Sequence, residues 1–169
     1  MQTKMMYLLM ILCVSWCMGC QSIESEPELE DQNKELAKQY IETINTGDFE
    51  ALEKYLSADF SIYSPSGYPE PTSREKLIEN YNATKESFSE FNWNIEDMLA
   101  AEDMVVCRVT ITGIFNGTIP GLPTTEKEFR FSLITIMRMK DGKVVEEWQE
   151  DDQLGFARQM GMELKPKDE

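Results

Sequence analysis

The sequence of 169 residues contains no histidine. This absence excludes Ser-His-Asp and Cys-His nucleophile systems, zinc or iron sites with histidine ligands, and an imidazole base that titrates near neutral pH. Any catalysis by the chain must therefore use carboxylates, tyrosine, lysine, threonine or cysteine.

Basic residues are scarce as well, with 16 Lys+Arg against 31 Asp+Glu and a formal net charge of -15. Such a chain repels phosphate backbones and has no basic stripe that would release counterions, so we expect no nucleic-acid partner. Glycine and proline are few (9 and 7), while hydrophobic residues make up 41% of the chain. This composition indicates one folded domain rather than a disordered or repetitive chain.

The first twenty residues have the pattern of an export signal. Lys4 precedes the uncharged run MMYLLMILCVSWCMG, which is shorter than the roughly 20 residues of a transmembrane helix. Gly19 ends the run and Cys20 follows it, so the segment resembles a bacterial lipoprotein signal. The resemblance implies a signal peptide over residues 1–19, acylation of Cys20, the lipid bilayer as a partner and a location in the bacterial cell envelope. A plain signal peptide or a membrane-anchoring helix is the alternative.

The segment that follows, residues 20–32, is acidic and contains no basic residue. Self-repulsion predicts an extended, solvated tether. Among the four cysteines, Cys107 then stands alone in the apolar run MVVCRVTI, where a small buried residue is expected more often than a nucleophile.

Helical periodicity predicts three helices in the first half of the domain. The first covers residues 33–46 and ends at Gly47, and Asp48 is placed to cap a short second helix. A short strand over residues 59–64 enters a proline-rich loop. Thr72 and Glu75 then fit a capping box for a third helix that ends near Phe88.

Strand periodicity takes over after that helix. It predicts antiparallel strands over residues 91–96, 104–115, 129–140 and 144–151, with a type I′ turn at Asp141-Gly142 and a closing helical turn over residues 154–160. The prediction is an α+β domain over residues 33–162 with a tail at 163–169. Its expected buried positions are Tyr40, Ile44, Phe60, Tyr81, Phe88 and Trp93.

Three strings of the sequence carry a family resemblance. These are INTGDFEALEKYLSADF, GIFNGTIPGLPTT and MRMKDGKVVEEWQEDDQLGFARQMG, in this order and spacing. Together they resemble the SnoaL-like polyketide cyclase and ester cyclase family. The resemblance implies a nuclear transport factor 2-like cone, in which three N-terminal helices pack on a strongly curved antiparallel sheet and enclose a conical pocket.

The resemblance also implies a chemistry, because the polyketide cyclases of this family close a ring by intramolecular aldol condensation without metal or cofactor. An acidic side chain on the last strand handles the proton. Here the residue at that position is Gln149, and the position on the preceding strand that is often His or Asp in relatives falls on Thr135. Neither side chain can transfer the proton.

Two carboxylates lie on the same face of the last strand as Gln149 and are the candidate replacements. Period-two alternation places Glu147, Gln149 and Asp151 together. The alternative is that these polar residues form the solvated end of a strand, where no pKa shift would prepare them for proton transfer.

A second group of residues is predicted to line a cavity for a small apolar ligand. It contains a polar residue of the third helix, Asn80, together with Thr135 and the aromatic residues Tyr40, Tyr63, Tyr81 and Trp93. Aromatic residues at these spacings are also common core residues. Ile136 and Trp148 should face away from the cavity, and relatives of this fold commonly form homodimers through that convex sheet face.

The missing acid at Gln149 favours a domain that binds a small hydrophobic carbonyl compound without catalysis. The first alternative is a cofactor-independent cyclase or isomerase that uses Asp151 or Glu147. The second alternative is a dimerisation module with a filled interior. A cavity below roughly 300 Å³ would favour the last of these.

Overall fold

The computed structural model describes residues 26–64, 70–117, 126–163 and 165. It confirms the α+β class, with helices packed on a curved six-stranded sheet. The predicted signal peptide and Cys20 lie outside the described residues. Within the described part of the chain, no helix has the length and apolar character needed to cross a bilayer.

Helix α1 extends over Glu26–Thr46 and is longer than predicted. Its first turns include residues that were expected to form an extended tether. That expectation was wrong for residues 26–32, because acidic side chains near a helix N-terminus interact favourably with the helix dipole. The helix ends as predicted at Gly47, whose φ of 71° is easily adopted by glycine. Ala37, Tyr40, Ile41 and Ile44 form its buried face.

A short 3-10 helix, Phe49–Lys54, follows α1, and the side chain of Asp48 does not cap it. Helix α2 covers Arg74–Thr84 and is capped by Ser73, which accepts a hydrogen bond from Lys76 N. Thr72 was the predicted cap, but it lies one residue earlier in a strand. A second 3-10 helix, Lys85–Ser87, replaces the predicted last turn of α2. Helix α3 covers Gln153–Gln159.

The six strands form one sheet in the order β2-β1-β6-β5-β4-β3. Their bounds are β1 Leu56–Tyr63, β2 Thr72–Ser73, β3 Phe88–Ala101, β4 Met104–Phe115, β5 Lys127–Lys140 and β6 Lys143–Asp151. Strands β3 to β6 form the predicted antiparallel meander, and β1 pairs with β6 in parallel. The turn between β5 and β6 has positive φ at Asp141 (52°) and Gly142 (69°), as a type I′ turn requires.

Strand β3 is irregular where it bends around the domain. Its register against β4 shifts between Ser89 and Asn92 and again between Ile95 and Asp97, and Glu90 has a φ of 52°. Extra residues of this kind bend a strand and increase its twist. The bend turns one sheet face toward the helices and creates the concave side of the domain.

Two asparagines of α1 fasten this helix to the bent strand and its turn. Asn45 donates from Nδ2 to Trp93 O (3.0 Å) and accepts from Trp93 N at Oδ1 (2.7 Å). Asn33 donates to Glu102 O (3.1 Å) at the far end of β3. The position of Trp93 relative to α1 therefore depends on side-chain hydrogen bonds as well as on packing.

Candidate functional site

A cavity of about 810 Å³ lies between the C-terminal end of α1, helix α2 and the concave side of the sheet. It exceeds the roughly 300 Å³ below which the interior would count as filled. Nine of its 21 lining residues are aromatic or aliphatic: Ile44, Phe49, Tyr81, Phe88, Phe91, Trp93, Ile111, Phe131 and Leu133. The polar side chains of the lining include Asn45, Asn80, Gln149, Asp151 and Gln153.

A buried carboxyl group lies outside this lining, on the concave face of β6. Glu147 is fully buried, with 0% exposure. Its Oε2 accepts a hydrogen bond from Tyr40 Oη (2.8 Å), and its Oε1 accepts from Thr135 Oγ1 (2.7 Å) and Gln149 Nε2 (2.8 Å). One carboxyl group thus joins α1, β5 and β6. We call Glu147, Tyr40, Thr135 and Gln149 the Glu147 cluster.

Burial dominates the protonation of the Glu147 cluster. It raises the pKa of Glu147, and the three hydrogen bonds from Thr135, Gln149 and Tyr40 lower it by less. Burial and the nearby Glu147 charge also raise the pKa of Tyr40, so its hydroxyl keeps its proton and acts as a donor. The Glu147 carboxyl therefore holds its proton to higher pH than a surface glutamate does.

The second carboxyl group, Asp151, lies in the cavity wall itself and is half-buried. Burial raises its pKa, the charges of Glu150 and Asp152 add to the effect, and the neighbouring Gln153 amide opposes it. Its Oδ1 is buried and has no hydrogen-bond partner among the described residues. An acid with a raised pKa and an unpaired oxygen at a cavity is suited to exchange a proton with a bound ligand.

The opposite part of the cavity wall, on β3, contains an unpaired donor. Trp93 is 6% exposed, and its Nε1 has no acceptor within the described ranges. A buried donor without a partner costs free energy, which a ligand acceptor would recover. The helical side is closed by Tyr81, which stacks on Phe49 at a centroid distance of 4.8 Å.

The predicted site residues divide into three groups. Those that line the cavity are Asn80, Tyr81, Trp93, Gln149 and Asp151. Tyr40, Thr135 and Glu147 are fully buried and meet one another in the Glu147 cluster, where they support Gln149.

Tyr63 is the exception, because it lies on the outer face of the sheet. It is 37% exposed and stacks on Trp148 at 5.6 Å between ring centroids. Phe60 and Ile62 are buried on the inner face of β1, and alternation along the strand turns Tyr63 the other way. Its placement in the ligand site was therefore wrong.

Several lining residues were missed by the sequence reasoning. Phe131 and Leu133 alternate along β5 on the same face as Thr135, so the period of the strand contained the signal. Asn45 had no such signal, because its role follows from the approach of α1 to an irregular point of β3.

Cys107 is a buried residue of β4, and burial raises the pKa of its thiol to about 12. A thiol with such a pKa is a poor nucleophile at neutral pH. Across the described ranges, no three acidic or cysteine side chains are grouped in a way that would hold a metal ion.

The raised pKa of Glu147 predicts a specific pH dependence of stability. The unfolded chain loses this proton near 4.5 and the folded chain loses it at higher pH, so the folded state binds more protons between the two values. As pH rises through this window, wild type should lose stability relative to Glu147→Gln, by about 1.4 kcal/mol per pH unit of separation between the two pKa values. Urea unfolding at a series of pH values measures the difference.

The control is Glu42→Gln, a substitution of an exposed glutamate on α1. Its difference from wild type should stay within about 0.5 kcal/mol across the range. The difference in unfolding free energy between Glu147→Gln and wild type should change with pH. A difference that stays constant would contradict the conclusion that burial destabilises the charged form of Glu147.

Comparisons with known proteins agree with this architecture. The SnoaL-like polyketide cyclase family model matches residues 34–160. Among curated proteins, none matches the chain significantly.

Solved structures with the same fold include AclR of Streptomyces galilaeus, a proposed hydroxylase, with a TM-score of 0.71 and 24% identity over 82% of this chain and 91% of that one. IdmH of Streptomyces antibioticus, a proposed polyketide cyclase, has a TM-score of 0.69 and 24% identity over 78% of this chain and 99% of its own. A proposed polyketide cyclase of Acidithiobacillus ferrooxidans has the same score and identity over 83% and 98%.

At this level of identity the solved structures establish the fold alone. The family model covers far more than half of the sequence, and its match contains the α1–β6 framework that encloses the cavity. The chain therefore belongs to the SnoaL-like polyketide cyclase family.

Proposed function

We propose that the cavity binds a small, mainly apolar carbonyl compound and that Asp151 transfers a proton within it, as in a cofactor-independent cyclase or isomerase. The observation that carries the proposal is the half-buried Asp151 carboxyl, whose Oδ1 is buried and unpaired at the cavity wall. The family's usual acid position holds Gln149, and Asp151 lies two residues further along the same strand face.

The proposed step uses only residues of this chain and the ligand. The Asp151 carboxylate takes a proton from the carbon next to a carbonyl group, and the electron pair of that C–H bond forms an enolate. In an isomerisation, the protonated Asp151 returns the proton to another carbon. In a ring closure, the enolate carbon bonds to a second carbonyl carbon, and the oxygen of that carbonyl takes the proton.

The surroundings of Asp151 support this chemistry. The raised pKa brings the acid closer to the working pH, where general acid–base catalysis is most effective. The aromatic wall formed by Phe88, Phe91 and Phe131 suits a flat apolar compound. The unpaired Nε1–H of Trp93 is a donor that a carbonyl oxygen of the ligand would satisfy.

The second candidate function is binding without catalysis. It is favoured by Gln149, an amide that cannot exchange a proton at the position where family members have an acid. In that case Gln149, Asn80 and Trp93 orient the ligand, and Asp151 only accepts a hydrogen bond.

Substitution of Asp151 separates the two candidates. We expect wild type to convert β,γ-unsaturated ketones such as 3-cyclohexenone to their conjugated isomers, with a rise in ultraviolet absorbance. Asp151→Asn should lower the rate about 10²–10⁴-fold, because the amide keeps the shape but cannot transfer the proton. Glu42→Gln, which replaces an exposed glutamate of α1 outside the cavity lining, is the control and should keep the wild-type rate.

Retention of the rate in Asp151→Asn would contradict the catalytic assignment. Wild type that binds such ketones, by calorimetry, but converts none of them at any pH between 5 and 8 would favour the binding function.

We further propose that the domain is anchored to the bacterial envelope through acylated Cys20. The supporting observation is the apolar run that ends in Gly19-Cys20. The acidic residues that follow offer no electrostatic attraction to anionic lipids, so attachment would depend on the acyl chains.

Cys20→Ser should release the protein from membranes into the supernatant of fractionated cells. Wild type should remain in the membrane pellet and show the mass of an acylated N-terminal cysteine. Unchanged fractionation of Cys20→Ser would contradict this anchor.

The outer face of the sheet supports a proposed homodimer. Leu99, Val106, Ile136, Trp148 and Tyr63 occupy paired positions on five neighbouring strands and form a continuous apolar stripe. Leu99 is 71% exposed, and contiguous exposed apolar surface commonly marks an interface.

A charge in this stripe should disrupt the dimer. We expect wild type to sediment as a dimer at micromolar concentration and Leu99→Glu to sediment as a monomer. Leu154→Glu replaces an exposed leucine of α3 away from the stripe and should remain dimeric. Monomeric wild type, or a dimer that tolerates Leu99→Glu, would contradict the proposal.

A further inference from the structure

The Glu147 cluster restricts the orientation of one amide in the cavity wall. Gln149 lines the cavity, and its Nε2 donates to Glu147 Oε1 at 2.8 Å. The same oxygen accepts from Thr135 Oγ1, and the other carboxyl oxygen accepts from Tyr40 Oη. An ionised carboxylate only accepts hydrogen bonds, and a protonated one still has an acceptor oxygen. With the hydroxyl groups of Tyr40 and Thr135 donating to this carboxyl, the Gln149 amide turns its nitrogen toward Glu147 as the third donor.

The opposite atom of the same amide, Gln149 Oε1, is then left for the cavity. It accepts no hydrogen bond from a described residue. The next residue on this strand face, Asp151, presents another unpaired oxygen. This end of the cavity wall consequently contains acceptors, whereas Trp93, a lining residue on β3, contains a buried donor without a partner.

We infer that Glu147 is a positioning residue, which holds the Gln149 amide so that its carbonyl oxygen selects ligands with a hydroxyl donor at this end of the cavity. The inference rests on the proposed binding of a mainly apolar compound and narrows its chemistry. A ligand carbonyl group is assigned to the Trp93 side, and a ligand hydroxyl group is assigned to the Gln149 side. Gln149 would then accept a hydrogen bond from the ligand hydroxyl group instead of donating one to a ligand carbonyl group.

The burial of the cluster makes this orientation stable. Glu147, Thr135 and Tyr40 are each 0% exposed, so water does not compete for their hydrogen bonds. Rotation of the Gln149 amide by 180° would place its carbonyl oxygen against the carboxyl oxygen of Glu147, where two acceptors repel each other. A change at Glu147 should therefore alter ligand preference without any contact between Glu147 and the ligand.

Two naphthalene probes of nearly equal shape test the inference by calorimetry at pH 7. The first, 2-naphthol, carries a hydroxyl donor, and the second, 2-methoxynaphthalene, has the same rings and oxygen but no donor. Wild type should bind 2-naphthol about three- to tenfold more tightly, which corresponds to one neutral hydrogen bond. Gln149→Met removes the acceptor and should bring the ratio of the two affinities close to one.

Glu147→Gln is the decisive variant, because it keeps the volume of the side chain and one acceptor oxygen, which can serve Tyr40, while the Thr135 hydroxyl can accept from the new amide group. Its new amide N–H needs an acceptor and finds one in Gln149 Oε1, so the Gln149 amide should turn. The preference for 2-naphthol should fall to parity or invert. Thr110→Val, a buried polar residue of β4 outside the cluster, is the control and should keep the wild-type ratio.

Three results would overturn the inference. Equal binding of both probes by wild type would show that no acceptor in the cavity bonds to the hydroxyl group. If Gln149→Met kept the wild-type ratio of the two affinities, the acceptor for the hydroxyl group would be Asp151. If folded Glu147→Gln kept that ratio, Glu147 would have no positioning role. If neither probe binds, the proposed function itself fails, and that outcome is distinct from binding without preference.

Discussion

The hydrogen bonds to the buried carboxyl of Glu147 are the constraint on which the site depends. They connect the middle of α1 to two neighbouring strands at distances of 2.7–2.8 Å. A buried carboxyl is costly unless its oxygens are satisfied, so Tyr40, Thr135 and Gln149 must keep their positions for the domain to fold around it. The relative positions of α1, the sheet and the cavity wall therefore depend on the Glu147 carboxyl group.

This constraint gives the two acids of β6 separate roles. Glu147 is enclosed and has three donors, so it holds its neighbours in place. Asp151 is half-buried in the cavity wall, so it is the acid that lies beside a bound ligand. Two carboxyl groups in different surroundings have different pKa values and can therefore have different roles in one site. Gln149 lies between them. It donates a hydrogen bond to Glu147 and lines the cavity beside Asp151, so the Glu147 carboxyl fixes the orientation of a side chain in the cavity wall.

Much of the fold was predictable from local patterns, since β4 and the turn at Asp141-Gly142 coincide with their expected positions. The parallel pairing of β1 with β6 was not, because no local signal encodes it. Alternation along β6 correctly grouped Glu147, Gln149 and Asp151 on one face. It could not show that Glu147 is enclosed while Asp151 reaches the cavity, because that difference depends on how α1 crosses the sheet. Tyr63 was misplaced although alternation with Phe60 and Ile62 contained the correct answer.

Burial at the cavity prepares Asp151 for proton transfer, and a carbon-detected NMR titration of the side-chain carboxyl groups in the folded protein measures this directly, with Asp151→Asn used to assign the resonance. We expect Asp151 to titrate clearly above the ordinary aspartate value of 3.8. A midpoint at or below that value would show instead that the carboxyl is an ordinary solvated acid at the end of a strand.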